Sequence, residues 1–474
     1  MIDEVLNLNR RYFCGCIVLL LMFFNINVQA AAITDIRSSI SPARVRIVLD
    51  SLESINFEQS KNGMQLTVVL PESSTEKKEL EFKDAYVKRV RLLPVGTQAA
   101  KLVVDLNRDC QYKVYQLKTP NRLVIDIYRI NIMKQIRQLA KGVSYTFMQD
   151  EMNGRQVQTY VVSVAPESYF ELRPFSAAGT YNGRGLLSQQ AAQRGMLAAV
   201  NASYFDSDGW VIGNVKDNGS YMAVDGQPRS GYAATGALKQ IIPDIAYRGS
   251  AVLPNGRKLK ITGMNRSRIS NDLILFNSYY APTTKTNIYG REVKLKNGNV
   301  VAVSTAGNMP IEADTVVLSG HGTNAAALAD LKIGDYVILE QSLGSETADK
   351  ADIVVSGGPL LLAHGRVNVR TEAENIAPDI SRGRAPRTAL GIKKDGTVLL
   401  VVVDGRNSFS SGMTLTELAQ YMLRLGADSA LNFDGGGSSE MVINGKLVNM
   451  PSDGRERRVS VGLGLLQKSE MLVK

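Results

Sequence analysis

Histidine, cysteine and tryptophan are nearly missing from this chain of 474 residues, which holds two His, three Cys and one Trp. With only His321 and His364, a histidine-dependent hydrolase has little support, and no H-E-x-x-H or other histidine metal pattern occurs. Cys14 and Cys16 lie near the start, at the head of a short apolar run. If that segment is removed, Cys110 is left alone. A lone cysteine makes neither an intramolecular disulfide nor a cysteine metal site. The sequence also has no low-complexity tract, no long Lys/Arg run and no nucleic-acid-binding motif. The formal net charge of +10 therefore points to an anionic polymer, or simply to a solvated basic face, and no nucleic-acid partner is expected.

Long hydrophobic runs are absent as well. Phe13 to Phe24 is the nearest approach, and Asn25 and Asn27 cut it short of a comfortable membrane span. Arg10 and Arg11 precede it, and Val28-Gln29-Ala30 offers small residues for cleavage before Ala31. This is the pattern of a secretory signal over residues 1–30, so the protein is expected to be exported, to a periplasm, a cell wall or the outside. An uncleaved N-terminal anchor is the alternative.

What is present is mostly strand pattern. Val45–Asp50, Leu66–Leu70, Lys101–Leu106 and Arg122–Ile127 are short apolar runs, separated by turn signals such as Asn62-Gly63 and Pro120-Asn121. Residues 31–130 thus form a small all-β unit. Asn131 to Gly142 has the pattern of a short linking helix closed by glycine. Beyond Val143 the chain mixes types. Val157–Val164 and Met196–Val200 are expected strands, and Leu187–Arg194 an expected helix. The stretch from Ala251 to about Leu343 is β-rich, with hairpin turns at Asn255-Gly256 and Asn297-Gly298. Thr414 opens a helix with Glu417 three residues on, a capping box. The fold expected is multidomain: a small all-β sandwich, then a larger α+β domain over residues 143–467 with a mixed sheet and a β-rich insertion.

Polar clusters gather at strand ends, a frequent layout of enzyme sites. Arg387-Thr388 precede one strand, Asp404-Gly405-Arg406 end the next, and Asn201 to Asp206 form another cluster. The densest is Asp434-Gly435-Gly436-Gly437-Ser438-Ser439, followed by an apolar run from Glu440 to Ile443 and by Arg455, Arg457 and Arg458. Adjacent glycines let backbone approach a ligand closely, and successive N–H groups can cradle an anion. It is not a P-loop, because Gly445-Lys446 is followed by Leu447. Acid, anion nest and arginines suit a sugar phosphate or similar ester. A plain Gly-rich turn is the competing reading, and each cluster taken singly fits a structural role. Asp206 and Asp208 could hold a structural cation, though a plain turn suits Asp206-Ser207-Asp208-Gly209 better.

Together these pieces resemble the phosphodiester glycosidase family. NASYFD (201–206), SGGPLLL (356–362), PRTALGI (386–392), VVDGR (402–406), the stretch Gly412–Met441 and RRVSVGLGL (457–465) follow in family order. The resemblance implies hydrolysis of a sugar-1-phosphodiester, for example of N-acetylglucosamine, at the glycosidic bond, with no required cofactor. Carried to this chain, it implies Asp434, Asp404 and Asn201 as catalytic residues. Arg387, Thr388, Arg406, Gly435, Gly436, Gly437, Ser438, Ser439 and Arg458 are implied to bind substrate and phosphate. Glu440 departs from the pattern, since the family commonly has Thr or another small residue there. The pattern RVRIVLDS … KLVVDL … NRLVIDIY resembles the AMIN domain, which implies envelope targeting and a peptidoglycan partner. The alternative is a non-catalytic envelope protein that keeps the fold and binds polysaccharide.

Overall fold

The computed structural model describes residues 31–41, 44–129, 132–178 and 183–468. The expected signal segment, residues 1–30, lies outside the described residues. The chain divides into two compact units, Met1–Ile127 and Tyr128–Lys474.

The first unit holds two five-stranded sheets. One orders the strands Ser73–Ser74, Ala31–Ile40, Arg44–Ser51, Asn121–Tyr128 and Tyr112–Lys118; the other Glu58–Asn62, Gln65–Pro71, Ala99–Leu106, Val87–Val95 and Lys78–Glu81. Alternate residues point inward: Val45, Ile47 and Leu49 on one strand, and Leu66, Val68 and Leu70 on another, are fully buried. Asp126 is buried too, bridged by the Arg46 guanidinium at 2.6 Å and 2.8 Å. The apolar runs expected as strands here are strands.

The second unit is strongly β-rich. Its main sheet has eight strands, in the order Met133–Ala140, Val143–Met152, Arg155–Val164, Val398–Val403, Arg387–Lys393, Ala427–Asn432, Leu360–Ala363 and Arg366–Val367. Every neighbouring pair is antiparallel. Among the described residues of this unit, the mixed pairing expected occurs at Gly263–Met264, parallel to Ile274–Leu275 in the insertion. The expected linking helix over 131–142 is the strand Met133–Ala140. A glycine after a polar, mildly apolar run signals a helix end from sequence. Here Lys141-Gly142 instead turns a hairpin into Val143–Met152, and ten residues of partner strand outweigh a weak local helix preference.

The strand Val398–Val403, Val-Leu-Leu-Val-Val-Val, is buried at every position. Val398, Leu400 and Val402 face one core, where they meet Val200, Leu390 and Leu463. Leu399, Val401 and Val403 face the other, beneath Leu418, Ala419 and Met422 of the helix Leu415–Arg424. A strand covered on both faces needs a continuous apolar run, and each such side chain contributes roughly 1.5–3 kcal/mol by burial. The helix carries the expected capping box: Thr414 Oγ1 accepts from Glu417 N–H at 3.2 Å, and Glu417 Oε2 accepts from Thr414 N–H at 2.9 Å. On the opposite side lies a five-stranded sheet ordered Phe170–Ser176, Val461–Gln467, Ala198–Asn201, Met441–Ile443 and Lys446–Leu447. Residues 248–342 build a separate β-rich core around Leu259, Leu273, Val293 and Leu318. Among the described residues no helix is long and apolar enough to cross a membrane.

Candidate active site

The two facing sheets bring four strand ends together. Arg387–Lys393 begins there, Val398–Val403 and Ala427–Asn432 end there, and Ala198–Asn201 ends opposite them. Asn201, Thr388 and Asp434 meet at this end. Thr388 Oγ1 donates to Asn201 Oδ1 at 2.7 Å, Glu440 N–H donates to the same oxygen at 3.1 Å, and Asn201 Nδ2 donates to the Asp434 carbonyl at 2.7 Å. Asn201 is thus a brace joining three chain segments.

Asp434 follows the strand and keeps partial exposure, the feature a reacting carboxylate needs. Its Oδ1 accepts from Gly435 N–H at 2.9 Å, and the Ser438 hydroxyl favours its charged form. Burial pushes its pKa up to about 6, against the opposing pull of Ser438, Gly435 N–H and the positive Arg457. Asp404 differs. It is 1% exposed, and both oxygens are engaged: Tyr160 OH donates at 2.9 Å, Asn449 Nδ2 at 3.0 Å, and Met450 N–H at 3.1 Å and 3.2 Å. Burial raises its pKa while those donors lower it. Asp404 pins the Asn449-Met450 segment to the main sheet.

The glycine cluster forms a single 3₁₀ turn over Gly436–Ser438. Its N–H groups largely close on the protein itself. Gly435 N–H serves Asp434, Gly436 N–H donates to the Pro386 carbonyl at 2.9 Å, and Ser438 and Ser439 donate to the carbonyls of Gly435 and Gly436 at 3.2 Å. The open anion nest expected from sequence is therefore a closed turn in this structure. The glycines are required for a different reason. Gly436 has φ of 62°, and a Cβ on Gly437 would lie 2.0 Å from an Arg457 guanidinium nitrogen. A Cβ on Gly435 would press to 3.0 Å of the Pro386 carbonyl.

The arginines divide similarly. Arg387 is buried, with its guanidinium given to the carbonyls of Met413 at 2.9 Å, Ile380 at 3.0 Å and Gly383 at 3.1 Å. Burial lowers its pKa to about 10. It shapes the 380–383 loop, with one hydrogen bond from each of its three nitrogens. Arg406 is exposed with φ of 62°, makes no hydrogen bond among the described residues, and lies 3.5 Å from where a Gly436 side chain would begin. Arg458 is exposed. Arg457, unassigned from sequence, pairs with Asp453 at 2.7 Å and donates to Ser438 Oγ at 3.4 Å.

Three further groups escaped sequence reading. Tyr160 reaches Asp404 across 244 residues of chain, with no local signal. Tyr204 OH donates to the Gly358 carbonyl at 2.7 Å and accepts from Asn432 Nδ2 at 2.9 Å, tying the NASYFD and SGGPLLL segments to the Asp434 strand. Glu440 is fully buried. Its departure from the family pattern was the available signal. Asp206 Oδ1 accepts the N–H groups of Asp208 at 2.9 Å and Trp210 at 2.8 Å, an Asx-type turn. Among the described residues no cluster of three or more metal-ligating side chains occurs. A cleft of about 750 Å³ lined by Tyr247, Lys258 and Glu340 belongs to the insertion. It does not include the residues around Asp434.

Residues 289–466 match the phosphodiester glycosidase family model. The N-acetylglucosamine-1-phosphodiester alpha-N-acetylglucosaminidase of Bos taurus is 42% identical over 67 residues, 14% of this chain and 12% of that protein. The SPbeta prophage-derived uncharacterized protein YomE of Bacillus subtilis is 45% identical over 74 residues, 16% of this chain and 12% of that one. The chain thus spans about an eighth of the length of these curated relatives. The crystal structure of a hypothetical protein from Synechocystis superimposes with a TM-score of 0.63, covering 92% of this chain and 80% of that one at 21% identity, which shows a shared fold. The family match takes in Arg387, Asp404, Asp434 and Glu440 but begins well inside the second unit.

Proposed function

We propose that this chain hydrolyses sugar-1-phosphodiesters at the glycosidic bond, releasing the sugar and a phosphomonoester. The observation that carries this reading is Asp434: a carboxylate left partly exposed at the strand end of the matched segment, accepting from Gly435 N–H and favoured in its charged form by Ser438. A phosphomonoester is already a good leaving group, so the reaction asks little of a general acid. It asks for a carboxylate to support the oxocarbenium-like centre or to direct water. Asp434 takes that role, with its raised pKa still leaving it mostly ionised at neutral pH. Arg406, unpaired beside Gly436, is the phosphate-binding group, with exposed Arg458 as a second cation. Asn201, Thr388, Asp404 and Arg387 hold the walls of the site. N-acetylglucosamine is the sugar proposed, from the name of the bovine relative.

The natural substrate is proposed to be an anionic envelope or surface glycopolymer, reached after export, with the first unit serving as an AMIN-like module that binds peptidoglycan. One observation favours a second reading, a glycopolymer-binding protein without turnover: the Gly435–Ser439 turn is closed on itself and offers little phosphate cradle. The discriminating experiment incubates the protein with the methyl phosphodiester of N-acetylglucosamine-1-phosphate and measures free reducing sugar. Release by the wild type and its loss in Asp434→Asn supports hydrolysis. Equal release, or none, sinks it.

A further inference from the structure

Glu440 is the least explained group near the site. Its side chain is 0% exposed, yet only one oxygen has a partner: Oε1 accepts from Arg457 N–H at 2.5 Å, while Oε2 is buried with none. No cationic side chain forms an ion pair with it among the described residues. Three charged groups bear on it, all from the 453–457 segment. They are Asp453, Glu456 and Arg457, and the Arg457 guanidinium is turned away to Asp453 and Ser438. A buried carboxylate with one donor and two acidic neighbours is poorly placed to carry charge. As an acid it becomes a hydroxyl donor plus an acceptor, which suits this setting. Ser439 Oγ and Ser452 Oγ are likewise buried without partners.

We propose that Glu440 is a positioning residue that works as a neutral carboxylic acid, tethering the Arg457 segment against the Gly437–Ser438 turn and thereby fixing the Asp434 carboxylate. The linkage is short. Glu440 holds Arg457 N–H, Arg457 donates to Ser438 Oγ, and the Ser438 hydroxyl acts on the Asp434 carboxylate to favour its charged form. On the other side Glu440 N–H holds Asn201, which in turn holds the Asp434 carbonyl. Ionisation of Glu440 introduces a buried charge beside Asp453 and Glu456 and loosens the segment.

Burial pushes the Glu440 pKa from 4.5 up to about 8. The folded protein then keeps a proton that the unfolded chain releases. Stability contributed by this group is complete at low pH and falls as pH rises from about 4.5 to about 8. Glu440→Gln keeps a neutral side chain that accepts from Arg457 N–H and cannot ionise. Calorimetry of the full chain should show the melting-temperature difference between Glu440→Gln and wild type widening in favour of Gln from pH 5 to pH 8 and then levelling. A difference independent of pH overturns the proposal. The activity arm rests on the phosphodiester glycosidase reading above. With the same methyl phosphodiester, wild-type kcat/KM should fall about tenfold per pH unit above the Glu440 midpoint, and Glu440→Gln should lack that limb. Identical alkaline limbs in both proteins overturn the proposal. If the wild type shows no turnover, the hydrolase reading fails and the calorimetric arm alone decides the tether. Should Glu440→Gln not fold, isotope-edited infrared titration of wild-type glutamates decides it: a carboxyl titrating near pH 8 supports the tether, and none above pH 6 refutes it.

Discussion

Asp434, Asp404 and Glu440 are three acids near one strand end in three different states. Asp434 is partly exposed and accepts from Gly435 N–H, Asp404 is buried and fully satisfied, and Glu440 is buried and half satisfied. That difference assigns work better than residue type does. Asp434→Asn should keep the fold and lower kcat by two or more orders of magnitude with little change in KM, since the charge acts on the transition state. The wild-type pH profile should also show an acid limb near pH 6, where Asp434 takes a proton; stopped assays across pH 4.5 to 7.5 would check it. Asp404→Asn should cost stability instead, by about 1–3 kcal/mol, because Tyr160 and Met450 N–H lose a charged acceptor. Denaturant melts distinguish the two effects. The sequence marked Asp434 and Asp404 alike as candidates. It could not separate them, because the partners that do so, Tyr160 and Asn449, arrive through tertiary contact. The glycines carried a similar ambiguity: Gly-Gly-Gly fits a ligand cradle or a tight approach of protein to protein, and Arg457 against Gly437 makes it the second.

At the scale of elements, local chemistry was most legible where it was self-contained. The Thr414–Glu417 box needs only four residues, and it formed as expected. Thr414→Ala should cost about 1 kcal/mol. Glu417→Ala should cost more, on the order of 3 kcal/mol, because Glu417 is buried and also takes Arg384 and the Asn153 amide at 2.8 Å. Thermal melts of the two variants should rank in that order. The alternating and continuous apolar runs gave strands reliably, as at Val398–Val403. The segment 131–142 misled because its polar residues suit either a helix or an exposed edge strand. Met133, Ile136, Leu139 and Ala140 recur at helical spacing, yet no residue of Met133–Ala140 is fully buried, so strand pairing and not an apolar face decides its structure.

That edge strand sets where the molecule can be cut. Met133–Ala140 pairs with Val143–Met152 along its length, so the second unit begins before Val143. A fragment of residues 128–474 should fold and melt cooperatively. A fragment starting at Val143 should be less stable and more prone to aggregate, since it bares the next strand. Light scattering during thermal melts would reveal the reverse if this is wrong. Removing residues 1–127 should leave turnover of small phosphodiesters intact while weakening retention on purified peptidoglycan. Undiminished retention refutes the targeting role of the first unit. At this scale sequence showed that two kinds of architecture follow one another. It could not show that strands from 155–164 and 387–403 are neighbours, because antiparallel pairing over such separations leaves no mark in local pattern.

The strand Val461–Gln467 lies inside the five-stranded sheet, bonded to Phe170–Ser176 on one side and Ala198–Asn201 on the other. Asn201, the brace beneath Asp434, sits on the second of these. During synthesis, then, about 260 residues must emerge after Asn201 before its strand gains that neighbour. The site cannot mature progressively on the ribosome; it forms late and in one step, once residue 467 has been made. A ribosome-stalled chain ending at Ser460 should be protease-sensitive throughout its second unit, whereas one extended past Gln467 and a tunnel's length of linker should become resistant and active together.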